Sequence, residues 1–238
     1  MKLTLAEAYS ELSINTIRRI YETQGTAIEK AAEKIADSLL NGGILHIFGS
    51  GHSHMISREI FGRAGQLIPV SAIVDGSAGK AERCEGYAEM LLRYYDWRPG
   101  EVVIVVSNSG RNPLPIEVAL KAKKDGLTVI ALTNMDHTTR VTSRHSSGRR
   151  LFEIADIVID NCAPYGDAGI ELPGTRLKAG PLSTIAGVAA INMLMLTVMQ
   201  IYLERGETPP ISISANLDGS DNRNVELRRK YMSRIRFE

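Results

Sequence analysis

Short, continuous apolar runs alternate with amphipathic stretches along most of the chain. The runs are ILHIF (44–48), the stretch 67–74, VVIVV (102–106), TVIAL (128–132) and the stretch 154–159. Brief Val/Ile-rich runs without polar alternation predict strands buried on both faces. The intervening patterns predict helices near 55–64, 81–95, 115–124 and from about 183. Ahead of the first strand, Thr4 with Glu7 and Thr26 with Glu29 have capping-box spacing, which predicts two opening helices. The second carries Ile28, Ala32, Ile35 and Leu39 on one stripe and stops at Asn41-Gly42-Gly43. The expected architecture is α/β: a three-layer αβα sandwich with a five-stranded, mainly parallel sheet. Residues 1–40 are expected as a helical segment packing on the domain or a partner subunit, 41–205 as the domain, and 206–238 as a terminal loop and helix.

Charge and cysteine usage narrow the function classes. The 238 residues carry 28 Lys+Arg against 27 Asp+Glu, a formal net charge of +1. This gives no broad basic surface for a nucleic acid or an anionic membrane, so any anion must be bound locally. Cys84 and Cys162 form neither a CxxC motif nor a disulfide framework, which fits a reducing cytoplasm. The N-terminal stretch lacks a continuous apolar core and a cleavage site, and reads as part of the fold. The apolar run 185–199 is interrupted by Asn192 and falls short of the roughly 20 residues needed to span a bilayer. It reads as a buried helix, with Met193, Met195 and Met199 as packing residues. With the opening helices it offers more apolar surface than one sheet covers, so a homodimer or homotetramer is expected. The final segment, NVELRRKYMSRIRFE, reads as a helix with a basic, solvated face.

In a sheet of this kind ligands bind beyond the carboxyl ends of the strands, so the loops after the strands carry the candidate chemistry. Two are alike: ILHIF runs into GSGHS (49–53), and VVIVV into SNSGRN (107–112). Each supplies glycine for close backbone approach and serine hydroxyls, followed by a helix start with unpaired N–H groups, a combination suited to phosphate. The third glycine of GxGxxG is missing from GSGHSH, and neither GxxxxGK[ST] nor Gly-x-Ser-x-Gly occurs. A small phosphorylated ligand with no cofactor is therefore expected.

Together with LTN (132–134) and GPLST (180–184), these loops resemble the sugar isomerase, or SIS, domain of phosphosugar isomerases and phosphosugar-binding proteins. The resemblance covers roughly residues 30–205 and implies a flavodoxin-like sheet. APYGDA and TSRHSSG are similar to segments of a bacterial group that carries a phosphoheptose isomerase label. The resemblance implies that Ser107, Ser109 and Asn112, with the backbone around Asn108 and Gly110, hold the sugar phosphate. It also implies that Ser50, Gly51 and Ser53 line the sugar, and that Thr133, Ser183 and Thr184 complete the pocket. It implies an enzyme that isomerises a phosphorylated sugar between aldose and ketose, with a non-catalytic phosphosugar sensor, or a lyase or etherase acting on an amino-sugar phosphate, as the alternatives.

An isomerase of this type moves a proton between C1 and C2 through an enediol, and needs a base and a group that polarises the carbonyl. Glu59 falls one turn before the place where phosphoheptose isomerases carry a catalytic glutamate, and position 63, where that residue should stand, is arginine. Glu85, in AERCEGYAEM, stands in for the histidine of the E-x-x-H-G stretch of arabinose-5-phosphate isomerases; as a base it needs a pKa raised by burial. Glu171 lies shortly before GPLST, in the region where the isomerase domain of glucosamine-6-phosphate synthase carries its base, with Asp167 nearby as a turn residue. His145, in a basic polar loop, is a candidate for ring opening or for reaching a neighbouring subunit's site. His52 and His54 form an HxH without further ligand motif, so no metal is expected, and His46 reads as a core histidine bonded to backbone.

Overall fold

The computed structural model describes residues 4–217 and 220–235. One helix, α1 (Thr4–Leu40), opens the chain where two were expected. Gly25 sits in open space inside it, and costs about 1 kcal/mol as a mid-helix glycine. Ile20, Ile28, Ala31, Ala32, Ile35 and Leu39 are all buried in one core, so a continuous apolar stripe outweighs the local start signal at Thr26.

The alternation then unfolds as β1 (Leu45–Gly49), a 3₁₀ turn Gly51–Ser53, α2 (His54–Ile60), β2 (Val70–Ile73), α3 (Tyr87–Leu92) and β3 (Val102–Val106). It continues with α4 (Pro113–Lys124), β4 (Thr128–Thr133), the short α5 (Met135–Thr138), a 3₁₀ turn Leu151–Glu153 and β5 (Ile157–Asp160). β6 (Ala168–Glu171), β7 (Lys178–Pro181), α6 (Ser183–Glu204) and α7 (Ser220–Arg229) complete it. The five main strands form one sheet in the order β2-β1-β3-β4-β5, parallel throughout, the flavodoxin-like arrangement. Sequence reading missed the antiparallel ribbon β6-β7. Its residues are half-buried or exposed and carry no alternating apolar pattern.

Successive strand residues point to opposite faces, which divides the core in two. Leu45, Ile47, Val102 and Ile104 pack with α1, α2 and α6, whereas Phe48, Val103, Val105 and Val129 pack with α3 and α4. α3 is much shorter than the predicted 81–95 helix, because Gly86 at φ 86° breaks the segment and residues 81–86 form turns. α6 has 22 residues and is long and apolar enough to cross a membrane by length and composition, more than the interrupted run suggested. Ala186, Ala190, Leu194 and Val198 are nevertheless fully buried in the core shared with α1 and α2. Leu196 and Leu203 on α6, with Tyr21 on α1, remain exposed.

At the amino end of the sheet lies a buried charge network. Glu101 is 3% exposed and accepts hydrogen bonds from Ile44 N–H (2.9 Å) and Arg98 N–H (2.8 Å). It also bonds His46 Nε2 (3.0 Å) and accepts from both terminal nitrogens of Arg234 (2.7 and 3.1 Å). His46 is thus a core histidine held by a carboxylate, not by backbone. Arg234 is half-buried, with 12% of its side chain exposed, against the solvated reading of the terminal segment, which holds for Arg229 and Lys230; residues 236–238 lie outside the described residues. Burial opposes ionisation of Glu101, but the bonds to His46, Arg234 and Arg98 outweigh it and hold the carboxyl at about 2. A depressed carboxylate stabilises the fold above its unfolded pKa and loses that contribution as pH falls towards its folded one. Thermal denaturation should therefore show stability falling from about pH 4.5 towards about 2. Glu101→Gln should flatten that fall and cost about 2 kcal/mol at neutral pH, because the buried carboxylate shared by His46, Arg98 and Arg234 is lost while Asp96 still pairs with Arg234 at 3.0 Å. An unchanged melting temperature in the variant would contradict this.

Candidate functional site

β1 and β3 are neighbours, with Gly49 opposite Val106. Their chains leave towards opposite faces of the sheet, which opens a crevice between the two following loops. Gly49 is required there: a Cβ would come 2.4 Å from the Ser53 carbonyl oxygen as the 3₁₀ turn folds back. The crevice is a cleft of about 340 Å³ lined by Ser50, Gly51, His52 and Ser53 from the first loop and Ser107, Asn108, Ser109 and Asn112 from the second. Ser183 and Thr184 from α6, with Glu82, His137, Asn161 and Asp167, close the remaining sides. Larger hollows exist between α1 and α6, at the opposite end of the sheet and between α1 and the loop after β5, but the β1 and β3 loops contribute to none of these.

The hydrogen-bond pattern decides which donors are left for a ligand. At α4, Pro113 and Pro115 have no N–H, and Leu114 N–H donates to the Glu82 carbonyl. At α6, Asp167 Oδ1 accepts from Leu182 and Ser183 N–H at 2.9 and 2.7 Å, so that helix start already holds a carboxylate. The expected anion sites at the helix starts are thus largely taken. Side-chain amides supply donors instead. The Asn108 oxygen accepts from Asn161 Nδ2 (3.0 Å), and the Asn112 oxygen accepts from Arg144 Nη1 (2.9 Å), which leaves the NH₂ groups of both for the cleft. The Ser107 hydroxyl accepts from Gly110 N–H (3.2 Å). Gly110 must be glycine, since at φ 59° a Cβ would stand 2.8 Å from Thr138 Oγ1.

Asp75, at the end of β2, is a further residue that sequence reading passed over. Its carboxylate accepts from the Ser50 hydroxyl (2.8 Å), the Ser77 hydroxyl and N–H (2.6 and 2.9 Å) and Gly79 N–H (2.9 Å). Burial resists its ionisation, yet these bonds hold the carboxyl below its usual value. Ser50 is therefore oriented from behind, with its proton committed to Asp75.

Several predicted site residues lie outside the cleft. Thr133 is fully buried and donates to the Ser107 carbonyl (2.7 Å), and Gly110 lies beneath the loop, so both shape the site from below. Glu171, on the outer ribbon, pairs with Lys178 at 3.4 Å with 81% of its side chain exposed. Glu85 and His145 do come together, but as a latch. The hydroxyl and N–H of Ser146 donate to Glu85 (2.7 and 2.6 Å), and His145 stands 4.0 Å from Glu85 and 3.8 Å from Glu117. The Ser146 hydroxyl and then its N–H hold Glu85 below its usual pKa, the reverse of the rise a base needs. Glu59 is tied to Arg63 and to Asn192.

The cleft instead carries Glu82 and His137. Glu82 was legible as the first glutamate of the AERCEG stretch, but a continuous helix over 81–95 hid that the turns separate it from Glu85. His137 stacks on Tyr165 with ring centroids 4.9 Å apart. Its Nδ1 is buried without a hydrogen-bond partner. Burial, then the charge of Arg111, pushes its pKa down, which favours neutral imidazole at neutral pH. His52 lines the cleft while His54 begins α2; among the described residues no three ligating side chains cluster as a metal site would need.

The SIS domain family model matches residues 8–134, over half the chain and both cleft loops. The chain belongs to the SIS domain family. A UPF0309 protein of Caldanaerobacter subterraneus is 39% identical over 244 residues, covering 98% of this chain and 99% of its own. The fold of this SIS protein is similar to that of a phosphoheptose isomerase from Francisella tularensis. The TM-score is 0.57 at 18% identity, with 84% of this chain and 99% of that one covered. It is also similar to the Vibrio vulnificus NanR protein complexed with ManNAc-6P, with a TM-score of 0.55 at 15% identity and 84% and 64% coverage.

In Asp75→Asn, hydrogen exchange at the Ser77 and Gly79 amides should accelerate by about tenfold or more, since each loses a charged acceptor. Unchanged protection would show that Asp75 does not organise the first loop.

Proposed function

We propose that the cleft binds a phosphorylated sugar and isomerises it between aldose and ketose forms. The observation that carries this reading is the meeting, in one cleft, of uncharged donors suited to phosphate with two proton-transfer groups, Glu82 and His137. Ser107, Asn108, Ser109 and Asn112 hold the phosphate; Ser50, Gly51, Ser53, Ser183 and Thr184 face the sugar. Glu82 removes the C2 proton of the aldose while the neutral His137 imidazole donates towards O1, giving the enediol. Transfer of the O2 proton to His137 and return of the carried proton from Glu82 to C1 complete the ketose and restore both groups. The NanR complex with ManNAc-6P, on a similar fold, supports a sugar phosphate as the ligand class. Exposed Tyr21 and Leu196, beside the groove between α1 and α6, support a homodimer or homotetramer.

The test is a screen of C5 to C7 sugar phosphates and amino-sugar phosphates in deuterated water, with binding read by thermal shift and C2 exchange by NMR. The wild type should exchange at least one substrate. Glu82→Gln should slow exchange by about a hundredfold or more while still binding, and Ser109→Ala should weaken binding by about tenfold. Binding without exchange in the wild type would overturn the isomerase reading in favour of a sensor, and release of a substituent would favour a lyase or etherase. Loss of exchange in Glu85→Gln but not in Glu82→Gln would move the base to the latch.

A further inference from the structure

The uncharged donors of the cleft leave two guanidinium groups beside it unexplained. Arg111 lies within the second loop, between Gly110 and Asn112, and its carbonyl accepts from Arg144 N–H at 2.8 Å, so the segment around Arg144 is strapped across that loop. Arg144 Nη1 in turn donates to Asn112, which lines the cleft. Two nearby arginines are neutralised: Arg150 pairs with Glu153 at 2.7 Å, and Arg140 pairs with Asp136. Among the described residues, neither Arg111 nor Arg144 has a carboxylate within 4.0 Å.

Arg111 is the more telling of the two. Its Nη2 reaches the Thr142 hydroxyl only at 3.4 Å, and its Nε is buried with no partner. A buried donor on a charged group is costly to leave unmatched, and two adjacent cations repel. The repulsion is felt locally: desolvation, then Arg111 and Arg83, push Arg144 below its usual pKa, with Glu82 acting against them. The charge of Arg111 is also felt at His137, inside the cleft. The protein thus holds two arginines without a carboxylate partner at the α4 end of a cleft whose phosphate donors are already supplied by serine and asparagine.

We propose that the sugar phosphate bound here carries a second anionic group, a phosphate or a carboxylate, and that Arg111 and Arg144 bind it. The proposal rests on the sugar-phosphate reading above and deepens it to a doubly anionic substrate class. Guanidinium groups suit either anion, because their planar N–H forks bind two oxygens at once.

Titration calorimetry with fructose 6-phosphate, fructose 1,6-bisphosphate and 6-phosphogluconate tests it. The wild type should bind at least one of the doubly anionic probes about tenfold or more tighter than the monophosphate, as expected for an added charge-assisted contact. Preference for the bisphosphate alone assigns a second phosphate, and preference for 6-phosphogluconate alone a carboxylate. In Arg111→Gln and Arg144→Gln, checked for native melting, the ratio of the two affinities should fall towards one, and Arg144→Lys should retain part of it. A wild type with no such preference, including one that binds none of the probes, overturns the proposal. So do variants that weaken all ligands by one common factor, because the arginines would then serve a single phosphate or merely hold the loop. The two readings fail separately: Ser109→Ala with unchanged monophosphate binding removes the phosphate-loop assignment, but leaves an arginine-dependent ratio intact.

Discussion

The cleft depends on one constraint of topology: β1 and β3 lie side by side, and their chains must leave the sheet towards opposite faces. The order β2-β1-β3-β4-β5 makes the crossover after β1 run one way and the crossover after β3 the other. With right-handed crossovers, α2 then falls on the face of α1 and α6, and α4 on the face of α3. Nothing can fill the gap between the diverging loops at the carboxyl edge, so it stays open as a crevice. The apolar content of the strands and the polarity of the loops after them are two consequences of this arrangement.

What fixes the shape of the crevice is a set of polar ties beneath it, not the lining residues themselves. Thr133 holds the Ser107 carbonyl, Asn161 orients Asn108, Arg144 orients Asn112, and Asp75 takes the proton of Ser50. Each tie fixes which end of a lining side chain is available. The second loop therefore presents amide NH₂ groups and hydroxyls in a region where the helix starts are already occupied by prolines, a backbone carbonyl and Asp167. Asp167 takes a left-handed backbone at φ 75°, strain tolerated at a turn where its carboxylate caps α6.

The parallel sheet was legible because strands buried on both faces leave unbroken Val/Ile runs, and VVIVV matches β3 residue for residue. The two strand-end loops were legible for the same reason, as abrupt polar breaks after such runs. Other features left no local trace. The single α1 is decided by packing on α6 and on the sheet, with buried Ile20 before Thr26 and Ile28 after it, which overrides a start signal at Thr26. The acid that faces the cleft, Glu82, and the one that latches a loop, Glu85, stand three residues apart, and only the turns forced by Gly86 separate their roles. Asp75 and Arg234 act through partners 25 and 133 residues away, a separation no periodicity reports.

The central claim is that the strand-end loops of β1 and β3 form the phosphosugar site. A crystal structure of the protein soaked with fructose 6-phosphate addresses it most directly. The phosphate oxygens are expected within hydrogen-bonding reach of Ser107, Asn108, Ser109 and Asn112, with C1 and C2 of the sugar facing Glu82 and His137. A phosphate bound instead at the amino end of the sheet, among Lys34, Arg98 and Arg234, would contradict the account.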